Sequence, residues 1–295
     1  MAAAEQGEAI RRYYATDRNL RILEETYAQY CVPRTDFVSW TLDTIRWNGD
    51  EAVLDIGVGT GSHYACLIQQ QPDIDYFAVD LSPYLLSQHP CGCGRLSYGD
   101  PLQLPYADDT FDVVMANHAL YHVADVDNCL REIKRVLKPD GRLLASTDSL
   151  QTTPELQVLI RRAIILLSDN GARVQPLCLP CDSFALENGT RILARHFYAV
   201  VRHDLPVALA FDAVEPALEY LESTRDLRQH DLPANVSWDD MMLIMHQQMT
   251  QLLQLLGKLE INIGFGALVA SDCGGFINEF VAREQADATK YSLKT

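Results

Sequence analysis

Between Glu51 and Ser149 the sequence predicts an α/β fold built on a parallel sheet, and two observations carry that prediction. Short apolar, β-branched runs (Ala52–Ile56, Tyr76–Val79, Arg95–Tyr98, Phe111–Ala116 and Arg142–Thr147) alternate with helical stretches. Apolar runs between helices are the pattern of strands buried on both faces. The first run also passes directly into Gly57-Val-Gly59-Thr-Gly61 and a helix from about Ser62, a strand–turn–helix junction. The helix over Val126–Leu137 meets Lys138-Pro139-Asp140-Gly141, a basic last turn followed by Pro and Gly that reads as a stop.

On the N-terminal side, Leu20, Ile22, Leu23, Tyr27 and Tyr30 recur at helical spacing over Asn19–Tyr30. Cys31-Val32-Pro33 breaks that helix, and a second one runs over Asp36–Ile45. Beyond Leu150, Thr153-Pro154-Glu155 opens a helix to about Asp169, with Asn170-Gly171 as its exit. Phe197–Arg202 reads as a strand, and Glu215–Ser223 and Trp238–Leu256 read as helices. Gly266–Ala270 and Gly275–Ile277 read as a hairpin, and the tail Ala286–Thr295 is polar. The chain thus divides into an N-terminal helical cap (1–48), a ligand-binding core (49–150) and a remainder (151–295) with helical insertions.

Composition narrows the function. The 295 residues carry 24 Lys+Arg against 40 Asp+Glu, a net charge of −16, which argues against nucleic acid as a partner. A hydrophobic content of 48% excludes a disordered chain. The longest apolar run, Ala163–Leu167, is far short of the ~20 residues that span a bilayer, and the first residues form no signal peptide. Eight cysteines in this length are too dilute for a disulfide scaffold, so free thiols in a cytoplasmic protein are expected. Cys91-Gly-Cys93 and Cys178-x-x-Cys181 lack the usual zinc-knuckle spacing, and no metal is expected.

The chemistry sits in Val53-Leu-Asp55-Ile-Gly57-Val-Gly59-Thr-Gly61. Glycines at alternate positions let the backbone turn sharply and let a ligand approach it closely. With Ser62 next, the Gly-x-Gly-x-x-Gly of a nicotinamide site is not met. Asp55, just ahead of the glycines, would repel a pyrophosphate and favour a ligand with an ammonium group. Asp80 closes the second strand about 20 residues beyond the glycines, placed either for ribose hydroxyls or for a helix N-cap. Asp100, at the end of the third strand, faces an adenine amino group or caps a turn.

These stretches resemble the class I S-adenosylmethionine-dependent methyltransferases, in particular the type-11 (UbiE-like) small-molecule group. The resemblance rests on Val53–Gly61, Val79-Asp80-Leu-Ser-Pro83, Gly99-Asp100, Leu104–Val114, Asn117-His-Ala-Leu-Tyr121-His122-Val and Glu132–Arg142. It extends more weakly over Asn19–Trp40, Phe184–Ser223 and Gly266–Ile277. It implies a Rossmann-like, doubly wound, seven-stranded, mostly parallel sheet with an antiparallel C-terminal strand, plus helical cap and lid elements. It also implies S-adenosyl-L-methionine as cofactor and a small-molecule acceptor. Asp55, Gly57, Gly59 and Gly61 would hold the methionine part, and Asp80 the ribose with Leu81 beside the adenine. Asp100 would meet the adenine amino group with Leu102 nearby, and Asn117 and His118 would close the pocket near the sulfonium. Pro101 departs from the family pattern and removes a backbone N–H from the adenine loop.

Methyl transfer from a sulfonium is an in-line displacement, so catalysis is alignment, desolvation and, for a weakly acidic nucleophile, proton removal. His118 and His122 are the candidate bases, with structural packing as the other reading of His122. Tyr13, Tyr14, Tyr27 and Tyr30 read as cofactor cover or as core. Met241, Met242, Met245 and Met249 read as an apolar pocket wall or as core. The pairs Arg161-Arg162 and Arg191/Arg195 read as carboxylate anchors or as solvated helix faces. Segments 153–183 and 211–256, too long for plain connections, read as a lid, with extra core or a homodimer contact as alternatives. The tetrad of amino-methylating enzymes is absent where Asn117-His-Ala-Leu stands, which favours O- or C-methylation of a small metabolite. N-methylation of a small amine and a non-catalytic cofactor-binding partner are the other readings.

Overall fold

The computed structural model describes residues 3–92, 94–168, 177–278 and 280–282. Cys93, the helix exit at Asn170-Gly171 and the tail Ala286–Thr295 lie outside the described residues. Eight strands form one sheet: β1 (Cys31–Val32), β2 (Ala52–Ile56), β3 (Asp75–Asp80), β4 (Leu96–Tyr98), β5 (Phe111–Asn117), β6 (Leu137–Asp148), β7 (Ala199–Phe211) and β8 (Leu259–Ser271). Their order is β1-β7-β8-β6-β5-β2-β3-β4. Strands β6, β5, β2, β3 and β4 pair in parallel, whereas β8 runs antiparallel to both its neighbours. This is the predicted doubly wound sheet, extended at one edge by the two-residue β1.

The central strands alternate between two buried faces, which explains why they read as unbroken apolar runs. Val53, Val113 and Met115 pack beneath α3 (Phe37–Leu42) and α4 (Ser62–Gln70) with Leu42 and Leu67. Leu54, Ile56, Val114 and Ala116 face the other way, against Cys129, Leu130, Ile133 and Val136 of α6 (Val126–Val136) and Leu186 and Leu193 of α8 (Leu186–Leu193).

The sequence motif following Asp100 has a structural purpose. The Arg135 guanidinium on α6 donates to the carbonyls of Tyr106 (2.8 Å) and Leu104 (3.1 Å) and pairs with Asp108 and Glu132. Glu132 in turn accepts from the Leu104 N–H at 3.0 Å. Asp112 accepts from the Ala52 N–H (2.9 Å) and pairs with Lys138 (2.7 Å), tying the starts of β2 and β5 together.

Three predicted elements differ. The Lys138-Pro139-Asp140-Gly141 stop follows a helix ending at Val136, but the chain enters β6 at once, with a register shift against β5 between Phe111 and Val113. Residues 275–278 are helical, so Gly275–Ile277 is not a hairpin strand, and β8 pairs instead with β6 and β7. Strand β7 runs to Phe211 rather than Arg202, through Pro206 and alternating polar residues that obscure it in the sequence.

That extension shapes the molecule. Strand β6 stops at Asp148, opposite Phe265, while β7 and β8 stay paired up to Phe211 and Leu259. This arm, flanked on β7 by β1 at Ala208 and Leu209, rises past the carboxyl edge of the parallel strands. Between its strands the chain inserts α9 (Val214–Glu222), α10 (Arg225–Arg228) and α11 (Trp238–Leu256). Together with α7 (Pro154–Leu167), these bury a separate apolar core containing Ile160, Leu209, Phe211, Trp238, Met241, Met245 and Met249. Two helices complete the enclosure from the N-terminal side, α1 (Ala3–Tyr13) and α2 (Arg18–Tyr30). Arg135→Ala is expected to lower unfolding free energy by about 1–3 kcal/mol through the loop carbonyls it leaves unbonded, measurable by urea denaturation.

Candidate active site

A cavity of about 1270 Å³ opens at the carboxyl ends of the parallel strands. It sits where the chain, having gone from β2 to β3 and β4 on one side, returns to β5 on the other, the switch point at which open α/β sheets bind ligands. Its volume exceeds the ~300–1,000 Å³ of an ordinary single-ligand pocket.

The glycine loop forms one wall. The Gly57 N–H donates to the Val79 carbonyl at 2.9 Å, and a Cβ on Gly57 would lie 2.8 Å from that of Ala119. Gly59, at φ +55°, borders the cavity with no neighbour closer to a Cβ than Leu20 at 3.5 Å. Gly61 does not border it. A Cβ there would meet Pro90 at 2.6 Å and φ is +81°, so close packing and the left-handed backbone both require glycine. Asp55 is also off the wall and buried, and accepts a hydrogen bond from the Tyr76 hydroxyl at 2.9 Å. Burial pushes its carboxyl up to about 7, against the opposing effect of the Tyr76 bond.

Asp80 lies on the wall and accepts from the N–H groups of Ser82 (2.7 Å) and Gly59 (3.4 Å), which locks the two loops together. Burial raises its carboxyl above the usual range, partly offset by these backbone donors. Leu81, Asp100 and Leu102 continue the same wall, and Asp100 also accepts from the Leu102 N–H at 2.9 Å.

At the end of β5, Asn117 is buried on the wall with both amide atoms lacking a partner, and Ser146 Oγ on β6 is likewise unpartnered. His118 follows at φ +50°, held by its N–H to the Ser146 carbonyl (3.0 Å). Its Nδ1 lies 3.1 Å from the Tyr121 hydroxyl, and its ring stacks on Phe265. His122 Nε2 meets the Tyr14 hydroxyl at 2.7 Å, and burial pushes the imidazole down to about 3, so the ring is neutral at physiological pH.

Four wall residues escaped the sequence reading. Asp148 ends β6 as Asp80 ends β3, a legible signal had that strand not been stopped at Thr147; burial raises its carboxyl and His118 opposes the rise. His63, at the start of α4, is pushed down to about 4 by burial. Tyr220 and Arg228 come from the insertion and carry no sequence signal. Of the tyrosines singled out, Tyr13, Tyr14 and Tyr27 line the cavity, while Tyr30 packs on Phe211. Thr153, Leu156, Leu179, Tyr220, Leu221 and Thr224 roof it, but Met241, Met242, Met245 and Met249 do not border it. The methionines fill the cap's own core or pack against it.

An open α/β sheet with a tight glycine loop and strand-end acids thus frames a roofed switch-point cavity with room for more than one small molecule. Residues 54–145 match the methyltransferase domain family, so this stretch carries a methyltransferase domain. It is 35% identical over 115 residues to a malonyl-[acyl-carrier protein] O-methyltransferase of Halorhodospira halophila, covering 36% of this chain and 37% of that protein. It is 28% identical over 124 residues to the ubiquinone/menaquinone biosynthesis C-methyltransferase UbiE of Dinoroseobacter shibae, covering 39% and 50%. The matches thus span half or less of these relatives' own length. A putative methyltransferase from an antibiotic biosynthesis pathway of Anabaena variabilis shares the fold, with a TM-score of 0.54 at 16% identity over 79% of this chain and 96% of that one.

The elevated Asp55 carboxyl has a thermodynamic consequence. A folded pKa of about 7, above the unfolded value, means the group's contribution is most favourable at low pH and is lost as pH rises towards 7. Asp55→Asn is therefore expected to gain stability over the wild type between pH 5 and 7, by on the order of 2 kcal/mol, with no further gain above pH 8. Thermal unfolding at stepped pH measures it.

Proposed function

We propose that this protein transfers a methyl group from S-adenosyl-L-methionine to a small-molecule acceptor by in-line displacement, with O- or C-methylation favoured. The observation that carries the reading is a roofed cavity, too large for one ligand, with the glycine loop and Asp80 on one wall and His118 and Asp148 on another. The residues suit the cofactor. Gly59 leaves open space against the loop, Asp80 offers carboxylate oxygens for ribose, and Asn117 holds a buried amide still lacking partners. Gly57, Asp100, Leu81 and Leu102 complete that half, with Asp55 acting from behind the loop and Gly61 by setting the start of α4.

Bound there, the sulfonium supplies an already activated methyl group. The chain's part is then to align the acceptor, exclude water and take a proton. We assign the base to His118, whose Nδ1 is occupied by Tyr121 so that Nε2 is the nitrogen offered to an acceptor. Asp148 lies on the same wall, where burial raises its carboxyl and His118 opposes that rise. His122 positions Tyr14, and the buried hydroxyls of Tyr13, Tyr27 and Tyr220 surround the acceptor half. A buried acid and an unblocked imidazole on the wall favour catalysis over a purely regulatory role.

Calorimetry is expected to show binding of S-adenosylhomocysteine and none of NAD(H), followed by turnover with labelled methyl donor on a metabolite panel. Asp80→Ala is expected to weaken S-adenosylhomocysteine about 10- to 100-fold, from the loss of charge-assisted ribose bonds. Asp80→Asn keeps an acceptor for Ser82 and separates that loss from disruption of the loop. Unchanged affinity in both variants excludes the assignment of Asp80.

For access, we place the moving element at α1 rather than in the cap. The cap segments 153–168 and 211–256 are anchored by their own core, whereas among the described side chains of α1 the buried ones are Ala9 and Tyr13. Hydrogen exchange is expected to slow across α1 on adding S-adenosylhomocysteine, with α11 already protected in the free protein. Slowing confined to the cap would instead identify the cap as the lid.

A further inference from the structure

The cap places a cation in the cavity wall. Arg228, the last residue of α10, is 4% exposed yet borders the cavity. Its Nη2 donates to Gln157 Oε1 at 3.0 Å, its Nε is buried without a partner, and it forms no ion pair among the described residues. A guanidinium taken out of water normally has an anion against it.

Among the described residues, none of the wall's acids forms an ion pair with Arg228, and the cation acting on Asp148 is His118. The geometry around Arg228 is set rather than incidental. Gln157 Nε2 donates to Thr153 Oγ1 at 3.1 Å, which fixes the amide so that its oxygen faces the guanidinium. The other arginines on the wall, Arg11 and Arg34, are exposed. Arg161 and Arg162, candidates from the sequence, are exposed and off the wall, and Arg195 pairs with Asp127.

We propose that Arg228 docks a carboxylate carried by the methyl acceptor, so that the acceptor is a carboxylate-bearing small molecule; this rests on the methyl-transfer reading of the same cavity. A planar guanidinium with its Nε–H free matches a carboxylate's paired oxygens, and apolar residues on the same wall, Leu156 and Leu227 among them, lower the local polarity in which the contact forms. A single positive charge, with Asp182 and Asp231 also acting on it, suits a monoanion better than a phosphate dianion.

The test titrates the full-length protein, with and without saturating S-adenosylhomocysteine, with acid–amide pairs: acetate to octanoate, benzoate and phenylacetate, each against its primary amide. Binding is read by calorimetry and by the Arg228 Nε–H resonance. At least one acid is expected to bind ten-fold or more tighter than its amide and to shift that resonance. Arg228→Met is expected to abolish the preference, and Arg228→Lys, which keeps a charge if Arg228→Met does not fold, to reduce it. The proposal is overturned if no acid is preferred over its amide, or if the folded variants keep the wild-type preference. Loss of S-adenosylhomocysteine binding with the acid preference intact would instead remove the methyl-transfer reading and leave the anion site standing.

Discussion

The structure depends on how β2 is continued past its end. The hydrogen bond from Gly57 N–H to the Val79 carbonyl prolongs the β2–β3 pairing into the glycine loop, and the Asp80 carboxylate then takes the Gly59 and Ser82 N–H groups. Two loops from neighbouring strands thereby become one rigid rim. That rim is possible only because Gly57, Gly59 and Gly61 adopt positive φ and because no Cβ intervenes between Gly57 and Ala119. The same Ala119 belongs to the loop after β5, so the rim and the His118 loop are set against each other across the switch point.

The cap solves a different problem. A ligand cavity removes packing from the place where the sheet's carboxyl edge would otherwise be covered. Extending β7 and β8 beyond β6 supplies a scaffold for helices whose apolar faces meet one another rather than the ligand. The methionines of α11 illustrate the division: they fill the cap core, and the cavity is roofed instead by Leu156, Leu179, Tyr220 and Leu221.

This division also explains what the sequence revealed. The central strands, the glycine loop, Asp80 and α6 were legible because both faces of the sheet are buried and each junction has its own local chemistry. Strand β7 was only half legible, since His203, Asp204 and Pro206 interrupt its apolar pattern where it leaves the parallel sheet. The Gly275–Ile277 run was misread because a short apolar stretch after a Gly pair suits a helix start as well as a strand. The family resemblance places Asp55 and Gly61 with Gly59 at the methionine part, and only tertiary packing against Tyr76 and Pro90 distinguishes them from Gly59. Arg228 could not be found by pattern at all, because its burial depends on where the insertion folds back.

Among the described residues, most of the buried polar atoms without a partner gather at this cavity, namely the Asn117 amide, Ser146 Oγ and the Arg228 Nε–H, while Ser168 Oγ and Gln248 Oε1 lie elsewhere. Each is unfavourable for folding alone, since a buried polar group without a partner loses its hydration. Three apolar cores surround them and offset that loss. The wall also carries groups of opposite charge, with the Asp148 acid close enough to feel His118 and the Arg228 cation contributed by the cap. Ligands able to satisfy both sets at once would convert the least favourable part of the fold into its most favourable contacts. That is how a protein with a net charge of −16 can still present a selective site for an anionic group.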